Sequence, residues 1–336
     1  LSAITAFEKA LQSDPTDPVP RYNLLYQLAN VCDWKKLRLH LARSDQLGIT
    51  EGVFSPFGFW QYKDAPENHL QRARRFTEKN YSYENIEEFK YIKPNTSKIK
   101  IGFFSADFRQ HPVTFLSIRM LELLNRNKFT VFAYSFGPGE PSVMRNAVIN
   151  AVDIFREVQE MSDAEIISIA RKDKLDIAID LTGYTDNHRA GPFAHRVAPI
   201  QINFLGYPGT TGAIFMDYII CDNHVVPVEF EDYYSEKKIF LPDTYMPTDN
   251  TRPLGARQIT RTDVGLPEQA IVLCCFNNNY KITYEEFDCW CEILKRHNNT
   301  VLWLKASNDI SQKNLLQEAN IRGVDKSRII FAGFVE

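Results

Sequence analysis

Short apolar runs alternate with helical segments from residue 98 onward. A strand buried on both faces reads as a short apolar run, whereas an amphipathic helix repeats its apolar residues every three or four positions. Strands that alternate with helices are typical of a parallel sheet with helices on both faces. The pattern therefore predicts an α/β protein. The predicted strands are 99–104, 129–135, 175–181, 200–205 and 217–222, followed by a second set at 270–276, 300–304 and 328–332.

The second set of strands stops early. It has three strands, whereas a complete doubly wound domain has about five or six. The second domain is therefore expected to be cut short. Two of the helices between the strands open with a capping box, one formed by Ser162 and Glu165 and the other by Thr283 and Glu286.

The N-terminal part of the chain reads as helical. In residues 2–13 the apolar residues fall on one helical face, and the prolines of "DPTDP" end the helix. A second helical stretch spans residues 21–43. The pair resembles the end of a tetratricopeptide (TPR) array, whose repeat is a helix pair of about 34 residues. An ordinary helical hairpin would give the same pattern, and both interpretations stay open.

Residues 46–96 combine the aromatic run "GVFSPFGFWQY" with a charged helical segment. Glycine and serine are sparse there, which indicates a connector that packs on a folded part rather than a flexible linker. The sequence thus predicts a TPR-like helical segment, a helical connector, an N-terminal α/β lobe and the start of a C-terminal lobe. Their bounds are 1–45, 46–96, 97–255 and 256–336.

The composition is that of a folded protein, with 44% of the 336 residues hydrophobic and 24% charged. A net charge of −3 gives no general attraction to nucleic acid or to an acidic membrane surface. The apolar runs fall short of the roughly 20 residues that span a bilayer, and no signal pattern opens the chain. We therefore expect neither nucleic acid nor a membrane as partner. Because the first residue is Leu1 rather than Met, we expect a piece of a longer chain.

The six cysteines have irregular spacings and form no C-x-x-C motif. Several lie inside apolar runs, and those near Cys291 belong to a helix with an apolar face. The pattern predicts reduced, mostly buried thiols of a cytoplasmic protein and no zinc site.

Chemistry is expected beyond the carboxyl ends of the strands, where open parallel sheets bind their ligands. The segment "SADFRQHP" follows the first predicted strand. Pro112 at the first helical position would place His111 near the N-cap, where the helix dipole lowers its pKa. A neutral imidazole suits a general base. A histidine that only caps the helix explains the same residues, and on these residues alone the cap is favoured.

Three further polar loops follow predicted strands. "LTGYTDNHRAGPFAHR" holds Tyr184 and Arg189, which either face a cleft or lie in a solvated loop. The glycine-rich "LGYPGTTGA" predicts a ligand loop, although it is neither a Walker A loop nor a dinucleotide fingerprint. In "NNNYK", Lys281 precedes a capped helix and suits an anionic leaving group such as a diphosphate. A surface lysine in a polar turn is the alternative interpretation.

Five segments, in chain order, resemble the protein O-GlcNAc transferase family (glycosyltransferase family 41), with its SPINDLY-like and bacterial members. They are "IGFFSADFRQHPV", "GYTDNHRAGPFAHRVAPIQINFLGYPGTTGAIFMDYIICD", "YYSEKKIFLPDTYMPTDNTRP", "GLPEQAIVLCCFNNNYKI" and "VLWLK". The resemblance implies a GT-B fold, in which two Rossmann-like lobes hold a nucleotide-sugar. It also implies inverting transfer of N-acetylglucosamine from UDP-GlcNAc to serine or threonine hydroxyls of proteins.

The resemblance also implies roles for single residues. His111 matches the proposed catalytic base, and Tyr280 matches a tyrosine discussed for the same role. Lys281 matches the lysine that contacts the donor diphosphate. Asn278 stands where the family has a donor-contacting Gln.

The sugar pocket and the acceptor side are matched less fully. Leu205 and Gly206 match residues that line the sugar pocket. Tyr184 and Arg189 are candidates for the acceptor side of the cleft. The expected partners are a nucleotide-sugar donor and protein or peptide acceptors, the latter held through the TPR-like region.

A metal is not expected. Inverting transfer leaves negative charge on the departing diphosphate, which Lys281 and helix-terminal N–H groups can stabilise. Metal-using glycosyltransferases often present a D-x-D triplet, and this sequence has none. We therefore expect no metal and no cofactor other than the donor substrate.

Other functions remain open on the sequence. A SPINDLY-like relative would use GDP-fucose on the same fold. A TPR interaction scaffold with a non-catalytic transferase remnant is a second alternative, although the intact His111, Lys281 and "GYPGTTGA" disfavour it. An NAD-dependent enzyme is the weakest, because the glycine fingerprint is missing.

Two positions depart from the family pattern. Asp176 stands where animal members have a histidine close to the active site. Lys305 replaces an apolar residue and is expected to be peripheral. The chain also ends before the family's uridine-binding segment, so we expect this fragment to bind donor poorly and to be inactive alone.

Overall fold

The computed structural model describes residues 2–81, 89, 91–92, 97–252, 255, 259–305 and 307–333. Parts of the predicted connector, residues 82–88, 90 and 93–96, and the predicted start of the second lobe at 256 lie outside the described residues. The contacts divide the chain into two compact units, and the four parts predicted from the sequence stay a prediction. The larger unit comprises Val53–Phe57 and Ala65–Pro253, and the smaller unit comprises Leu1–Gly52, Gly58–Asp64 and Leu254–Glu336.

Helices and strands alternate through most of the described chain. The helices are α1 Ser2–Ser13, α2 Pro18–Asn30, α3 Trp34–Leu41, α4 Pro66–Asn80, α5 Pro112–Leu123, α6 Val143–Ala151, α7 Asp163–Asp173, α8 Gly191–Ala194, α9 Tyr284–Arg296 and α10 Asp309–Ile321. The strands are β1 Ile99–Ser105, β2 Phe129–Ser135, β3 Ile154–Glu157, β4 Ile177–Asp180, β5 Ile200–Asn203, β6 Tyr218–Cys221, β7 Lys237–Phe240, β8 Ile271–Cys275, β9 Thr300–Lys305 and β10 Ile329–Ala332. Within the described ranges, no helix is long and apolar enough to cross a membrane.

A seven-stranded sheet forms the centre of the larger unit. Its order is β3-β2-β1-β4-β5-β6-β7, and every pairing is parallel. The five strands predicted for this region are present, and β2 has the predicted bounds. The sequence analysis missed β3 and β7, which are the two edge strands. Their sequences, "IFRE" and "KKIF", mix charged with apolar residues because an edge strand meets solvent on one side.

The strand order reverses between β1 and β4, which is the switch point where doubly wound sheets bind ligands. β1 pairs with β4 through Phe104 and Asp180, and β4 pairs with β5 through Asp180 and Asn203. These residues lie at the carboxyl ends of parallel strands. The loops that follow β1, β4 and β5 therefore begin side by side at one edge of the sheet.

The core of the larger unit covers both faces of β1. Ile101 and Phe103 are buried on one face beside Val131 of β2. Between them in sequence, Phe104 points to the other face and stacks on Tyr134 with 4.2 Å between ring centroids. A strand buried on both faces reads as a continuous apolar run, which is why β1 was predictable.

The smaller unit combines α1–α3 with a three-stranded parallel sheet of order β10-β9-β8 and the helices α9 and α10. The prediction of one helical stretch over 21–43 is wrong, because the chain leaves the helix at residues 31–33. Cys32 adopts a left-handed φ of 54°, and the Asp33 side chain then caps α3 by accepting the Lys36 N–H. An N-cap aspartate competes with helix continuation, so it overrides the apolar periodicity here.

The turn between α2 and α3 packs on the segment after β8. The Trp34 indole Nε1 donates to the Ile282 carbonyl at 3.1 Å. The Asn314 amide donates to the Val31 carbonyl at 2.8 Å, and the Trp34 ring lies 5.1 Å from the Phe287 ring. These contacts bury Trp34. The helical segment therefore packs on α9, on α10 and on the loop that follows β8.

All six cysteines lie among the described residues and are free thiols. Cys32, Cys221 and Cys291 are buried as predicted, but Cys274 and Cys289 are exposed. The prediction of mostly buried thiols is therefore wrong. On α9 the apolar face carries Cys291, whereas Cys289 stands two residues earlier and off that face.

Candidate active site

Three loops meet at the carboxyl edge of the seven-stranded sheet, after β1, β4 and β5. The first two are joined by a hydrogen bond from the Ala106 N–H to Thr182 Oγ1 at 3.0 Å. The second and third approach so closely that a Cβ on Gly206 would lie 2.1 Å from the Leu181 carbonyl oxygen. Backbone and side chains therefore fix these loops against one another.

His111 caps α5, as the sequence predicted. Its backbone is extended, and its Nδ1 accepts the Val113 N–H at 3.3 Å. Pro112 occupies the first turn of the helix. The side chain is 33% exposed at the edge where ligands bind in this type of sheet. The cap and an active-site location are thus compatible.

Burial lowers the pKa of His111; the nearby Asp107 opposes this shift, and Arg109 adds to it. The imidazole is therefore neutral near neutral pH. Because Nδ1 accepts the Val113 N–H, the proton of the neutral ring resides on Nε2. In this arrangement Nε2 is a hydrogen-bond donor. To accept a proton there, the ring must carry its hydrogen on Nδ1, which lies 3.5 Å from Asp107 Oδ2.

Asp107 is a buried carboxyl that the sequence analysis missed. Burial raises its pKa, while His111 and Arg109 oppose that shift. Its backbone N–H donates to Ser105 Oγ at 2.9 Å, and its carbonyl accepts the Thr114 hydroxyl. The available signal was an acid four residues before a histidine in a loop, which is a weak one.

Asp180 ends β4 and is only 3% exposed. It accepts the Thr182 N–H at 2.9 Å and the Gly183 N–H at 3.1 Å. Burial raises its pKa to about 6, and the two N–H groups oppose that rise. The Asp180 carboxyl therefore fixes the first residues of the loop after β4. Its position in an apolar strand does not predict this role.

Leu205 and Gly206, the predicted sugar-pocket residues, lie directly after β5. Leu205 is buried and adopts a left-handed φ of 72°, which is unusual for a residue with a side chain. The Gly206 N–H donates to the Phe204 carbonyl at 3.0 Å. The turn is tight, and the backbone of residues 205–206 lies at the same edge as His111. Their role in a sugar pocket stays a prediction.

Glu236 holds the glycine-rich loop and was also missed. Its carboxylate is 2% exposed and accepts the Thr210 hydroxyl at 2.8 Å and the Thr211 N–H at 2.7 Å. Next in the loop, Gly212 has φ +64°, and a Cβ there would lie 2.4 Å from the Arg74 nitrogen of α4. The predicted connector helix and a distant carboxylate thus clamp this loop. A partner 25 residues away leaves no local sequence signal.

Tyr184 and Arg189, the acceptor-side candidates, are tied to their neighbours. Tyr184 is 1% exposed, its hydroxyl bonds to Thr77 of α4, and burial raises its pKa well above the ordinary value. Arg189 Nε donates to Asp163 Oδ1 at 2.7 Å. Its other nitrogens donate to backbone carbonyls of residues 158–161. These contacts suit a structural role, and the acceptor role stays a prediction without support from them.

In the smaller unit, the loop after β8 forms one short helical turn, Asn279–Lys281, ahead of α9. The predicted capping box is present: Thr283 Oγ1 accepts the Glu286 N–H, and the Glu286 carboxylate accepts the Thr283 N–H. Lys281 is exposed, with its Nζ 6.0 Å from the centroid of the half-buried Tyr280 ring. Among the described residues no carboxylate pairs with Lys281. The donor roles of Tyr280, Lys281 and Asn278 stay predictions.

Lys305, which the sequence analysis expects to be peripheral, lies beside this loop. It ends β9, and its Nζ donates to Asn278 Oδ1 at 3.1 Å. Asn278 was itself a predicted donor-binding residue. The apolar run "VLWL" predicts a buried strand, but the next residue, Lys305, already lies at the carboxyl edge, where parallel sheets bind ligands.

Asp176 lies at the amino end of β4, at the opposite edge of the sheet from His111. Its carboxylate accepts the Lys100 N–H at 2.8 Å and the Tyr91 hydroxyl at 2.5 Å. Asp176 therefore lies away from the loops at the carboxyl edge, although animal members have a histidine close to the active site at this position. Asp176 joins the amino ends of β1 and β4.

Metal ligands do not cluster in the part of the chain that the structure describes: no group of three or more His, Cys, Asp or Glu side chains could hold an ion there. Metal independence itself stays a prediction.

The family model "Glycosyl transferase family 41" matches residues 70–260 and 247–335. An Arabidopsis thaliana protein named "Probable UDP-N-acetylglucosamine-peptide N-acetylglucosaminyltransferase SEC" is 35% identical over 245 residues, which are 70% of this chain and 24% of that protein. The Arabidopsis thaliana protein of the same name ending in SPINDLY is 28% identical over 272 residues, 78% of this chain and 29% of its own length. The chain thus spans less than a third of these relatives.

A solved structure agrees with the fold. A mutant O-GlcNAc transferase of Thermobaculum terrenum matches 99% of this chain and 64% of its own, with a TM-score of 0.80 and 22% identity. The predicted fold class, Rossmann-like α/β lobes of a GT-B glycosyltransferase behind a helical segment, is confirmed by this match and by the parallel sheets. The family match covers most of the sequence. The chain belongs to glycosyl transferase family 41.

Proposed function

We propose that the protein transfers N-acetylglucosamine from UDP-GlcNAc to serine or threonine hydroxyls of protein acceptors, with inversion and without a metal. The observation that carries the proposal is Lys281, an exposed lysine without a carboxylate partner among the described residues. It stands at the carboxyl edge of a parallel sheet, directly before a capped helix. Family membership and the names of the plant relatives support the same activity.

The proposed reaction is a single displacement. The acceptor oxygen forms a bond to the anomeric carbon as the bond from that carbon to the diphosphate oxygen breaks. The hydroxyl proton passes to a base, and UDP leaves with the electron pair. Negative charge therefore grows on the diphosphate, where the Lys281 ammonium and the N–H groups at the start of α9 would stabilise it.

His111 and Tyr280 are the candidates for the proton transfer. The lowered pKa of His111 supports a neutral ring that is competent as a base. The hydrogen bond from the Val113 N–H to Nδ1 favours the tautomer that donates from Nε2 instead. We propose that His111 first orients a substrate oxygen through Nε2–H. His111 can act as a base at Nε2 only in the other tautomer, in which Nδ1 carries the ring hydrogen and faces Asp107 Oδ2.

The donor and the setting complete the proposal. The names of both plant relatives include UDP-N-acetylglucosamine, so GDP-fucose is not favoured as the donor. Acceptor proteins would dock through the TPR-like region, and the leucine, proline and aspartate pattern around α1 and α2 supports that reading. The six free thiols support a cytoplasmic location.

The test is a transfer assay on the intact protein with UDP-GlcNAc and GDP-fucose in parallel, using a set of serine- and threonine-containing peptides and mass spectrometry of the products. Transfer from UDP-GlcNAc that persists in excess chelator is the expected result. Transfer from GDP-fucose alone would change the donor. A folded protein that uses neither donor would exclude the enzyme and leave the interaction scaffold.

A further inference from the structure

The loop after β8 and the end of β9 meet through one charged hydrogen bond. Lys305 is the last residue of β9, the central strand of the three-stranded sheet. Its Nζ donates to Asn278 Oδ1 at 3.1 Å across 27 residues of sequence. Parallel pairing of β8 with β9 brings the two strand ends together. Lys305 therefore enters the loop that carries the predicted donor residues.

The bond also sets the orientation of the Asn278 amide. A lysine can only donate, so it selects the amide oxygen and turns the Nδ2 hydrogens the other way. The Asn278 side chain is exposed, and its Nδ2 makes no hydrogen bond within the described chain. An amide with its oxygen held and its N–H groups free can donate to an anionic oxygen. Without Lys305, the same amide could rotate and present either end.

Two lysines stand next to this loop, and a helix follows each of them. Lys281 precedes α9, and Lys305 precedes α10. The first turns of these helices also carry acids, Glu285 and Glu286 in α9 and Asp309 in α10. In the described residues neither lysine forms an ion pair. Both ammonium groups are therefore available to an anionic ligand.

The two loops are also held in a fixed relation. Asn279 is fully buried, and its Oδ1 accepts the Ser307 N–H at 2.7 Å. This bond ties the turn that carries Lys281 to the loop that follows Lys305. The two lysines are therefore not independent surface side chains, because both backbones belong to one hydrogen-bonded frame.

We propose that Lys305 is a second lysine of the donor site, which points the Asn278 amide N–H groups at the donor and adds its charge to the stabilisation of the leaving diphosphate. The inference rests on the proposed function, since it concerns the same donor. It assigns a role to the position where the sequence departs from the family pattern. The ligand chemistry is that of a nucleoside diphosphate.

The test uses the intact protein and two readouts: UDP affinity by titration calorimetry, and the donor KM and kcat of transfer. Lys305→Met should raise the Kd for UDP about tenfold and lower kcat/KM for the donor by at least that factor, because a charged hydrogen bond and a positive charge are lost. Lys305→Arg should restore most of both. Lys313 is an exposed lysine of α10 that forms no ion pair in the described chain, so Lys313→Met is the matched control and should change neither the UDP affinity nor the kinetics.

A double-mutant cycle separates positioning from charge alone. With Asn278→Ala in place, Lys305→Met should lose part of its effect, whereas a purely structural lysine would give additive losses. Normal UDP affinity and normal kinetics in Lys305→Met and Lys305→Gln, in a wild-type background that transfers sugar, would overturn the inference alone. A wild-type protein that neither binds UDP nor transfers sugar would overturn the proposed function and this inference together.

Discussion

The two parallel sheets use charge in opposite ways in the loops that follow their strands. On the seven-stranded sheet, Asp107, Asp180 and Glu236 support the loops after β1, β4 and β5, and all three acids are buried. Their carboxyl groups meet neighbouring side chains and the N–H groups and hydroxyls of the loops they support. On the three-stranded sheet, Lys281 and Lys305 follow β8 and end β9, are not buried, and form no ion pair within the described residues. A buried carboxylate with hydrogen-bond partners inside the protein fixes the shape of a loop, whereas a lysine without an ion-pair partner is available to a ligand.

The largest expected effect is on the outward charge. Lys281→Ala should lower turnover about 100- to 1,000-fold, because the leaving diphosphate loses its nearest proposed cation. Circular dichroism should show an unchanged fold, since the side chain is exposed. Lys326→Ala, another exposed lysine of the smaller unit, serves as the control. Wild-type turnover in Lys281→Ala would remove this residue from the mechanism and break the contrast.

The second prediction concerns the close packing of the loops after β4 and β5 in the seven-stranded sheet. In Gly206→Ala the new Cβ would lie 2.1 Å from a backbone oxygen of Leu181, which cannot rotate away. We expect a loss of about 3 kcal/mol in the free energy of unfolding, measured by urea titration with circular dichroism. Faster hydrogen exchange in β4 and β5 should accompany the loss. Gly255→Ala has open space around its Cβ and should change the free energy by less than about 0.5 kcal/mol.

The buried Asp180 carboxyl should make the free energy of unfolding depend on pH. Its folded pKa of about 6 lies above the unfolded value, so the proton stabilises the fold. That contribution is full below about pH 4 and is lost as the pH rises through 6. Asp180→Asn has no titrating group at this position. The difference in the free energy of unfolding between this variant and the wild type should therefore shift by about 2–3 kcal/mol in favour of the variant between pH 4 and a pH above 6. Parallel stability curves for the two proteins from pH 4 to 7 would contradict the assignment.

The smallest effect is expected at Glu236. Glu236→Gln keeps one acceptor but loses the charge that holds Thr210 and Thr211, so we expect about 1–2 kcal/mol of lost stability. The donor KM should change less than in Lys305→Met, because the carboxylate shapes a loop rather than meeting phosphate. Glu229→Gln, an exposed glutamate nearby, is the control. A larger change in the donor KM than in stability would place Glu236 among ligand-contacting groups.

Most of the fold could be predicted because its signals are local. The apolar runs of β1 and β2 and the capping residues Ser162 and Thr283 each declare their element within a few positions. The edge strands β3 and β7 lack such runs, since solvent reaches one side of each. The break at Cys32 was missed because apolar periodicity continues across it while the Asp33 cap sets the conformation.

The candidate site was predictable where strand ends signal it and not where partners are distant. His111 and Lys281 follow apolar runs directly, so the rule for parallel sheets located them. Glu236 and Lys305 act on residues 25 and 27 positions away, and only the folded chain brings those partners together. Asp176 departs from the family pattern at the amino end of β4, which is the edge opposite the polar loops, and a motif match alone does not tell the two edges apart.

The hydrogen bond between Trp34 and Ile282 has a consequence for how the protein is made. The bond joins residues 248 positions apart, and a ribosome adds about 5–20 residues per second, so α1–α3 wait roughly 12–50 s for their partner. Residues of the larger unit emerge during that interval and can finish folding first. The side of α2 and α3 that carries Trp34 is thus exposed on the nascent chain until the segment around Ile282 has been made.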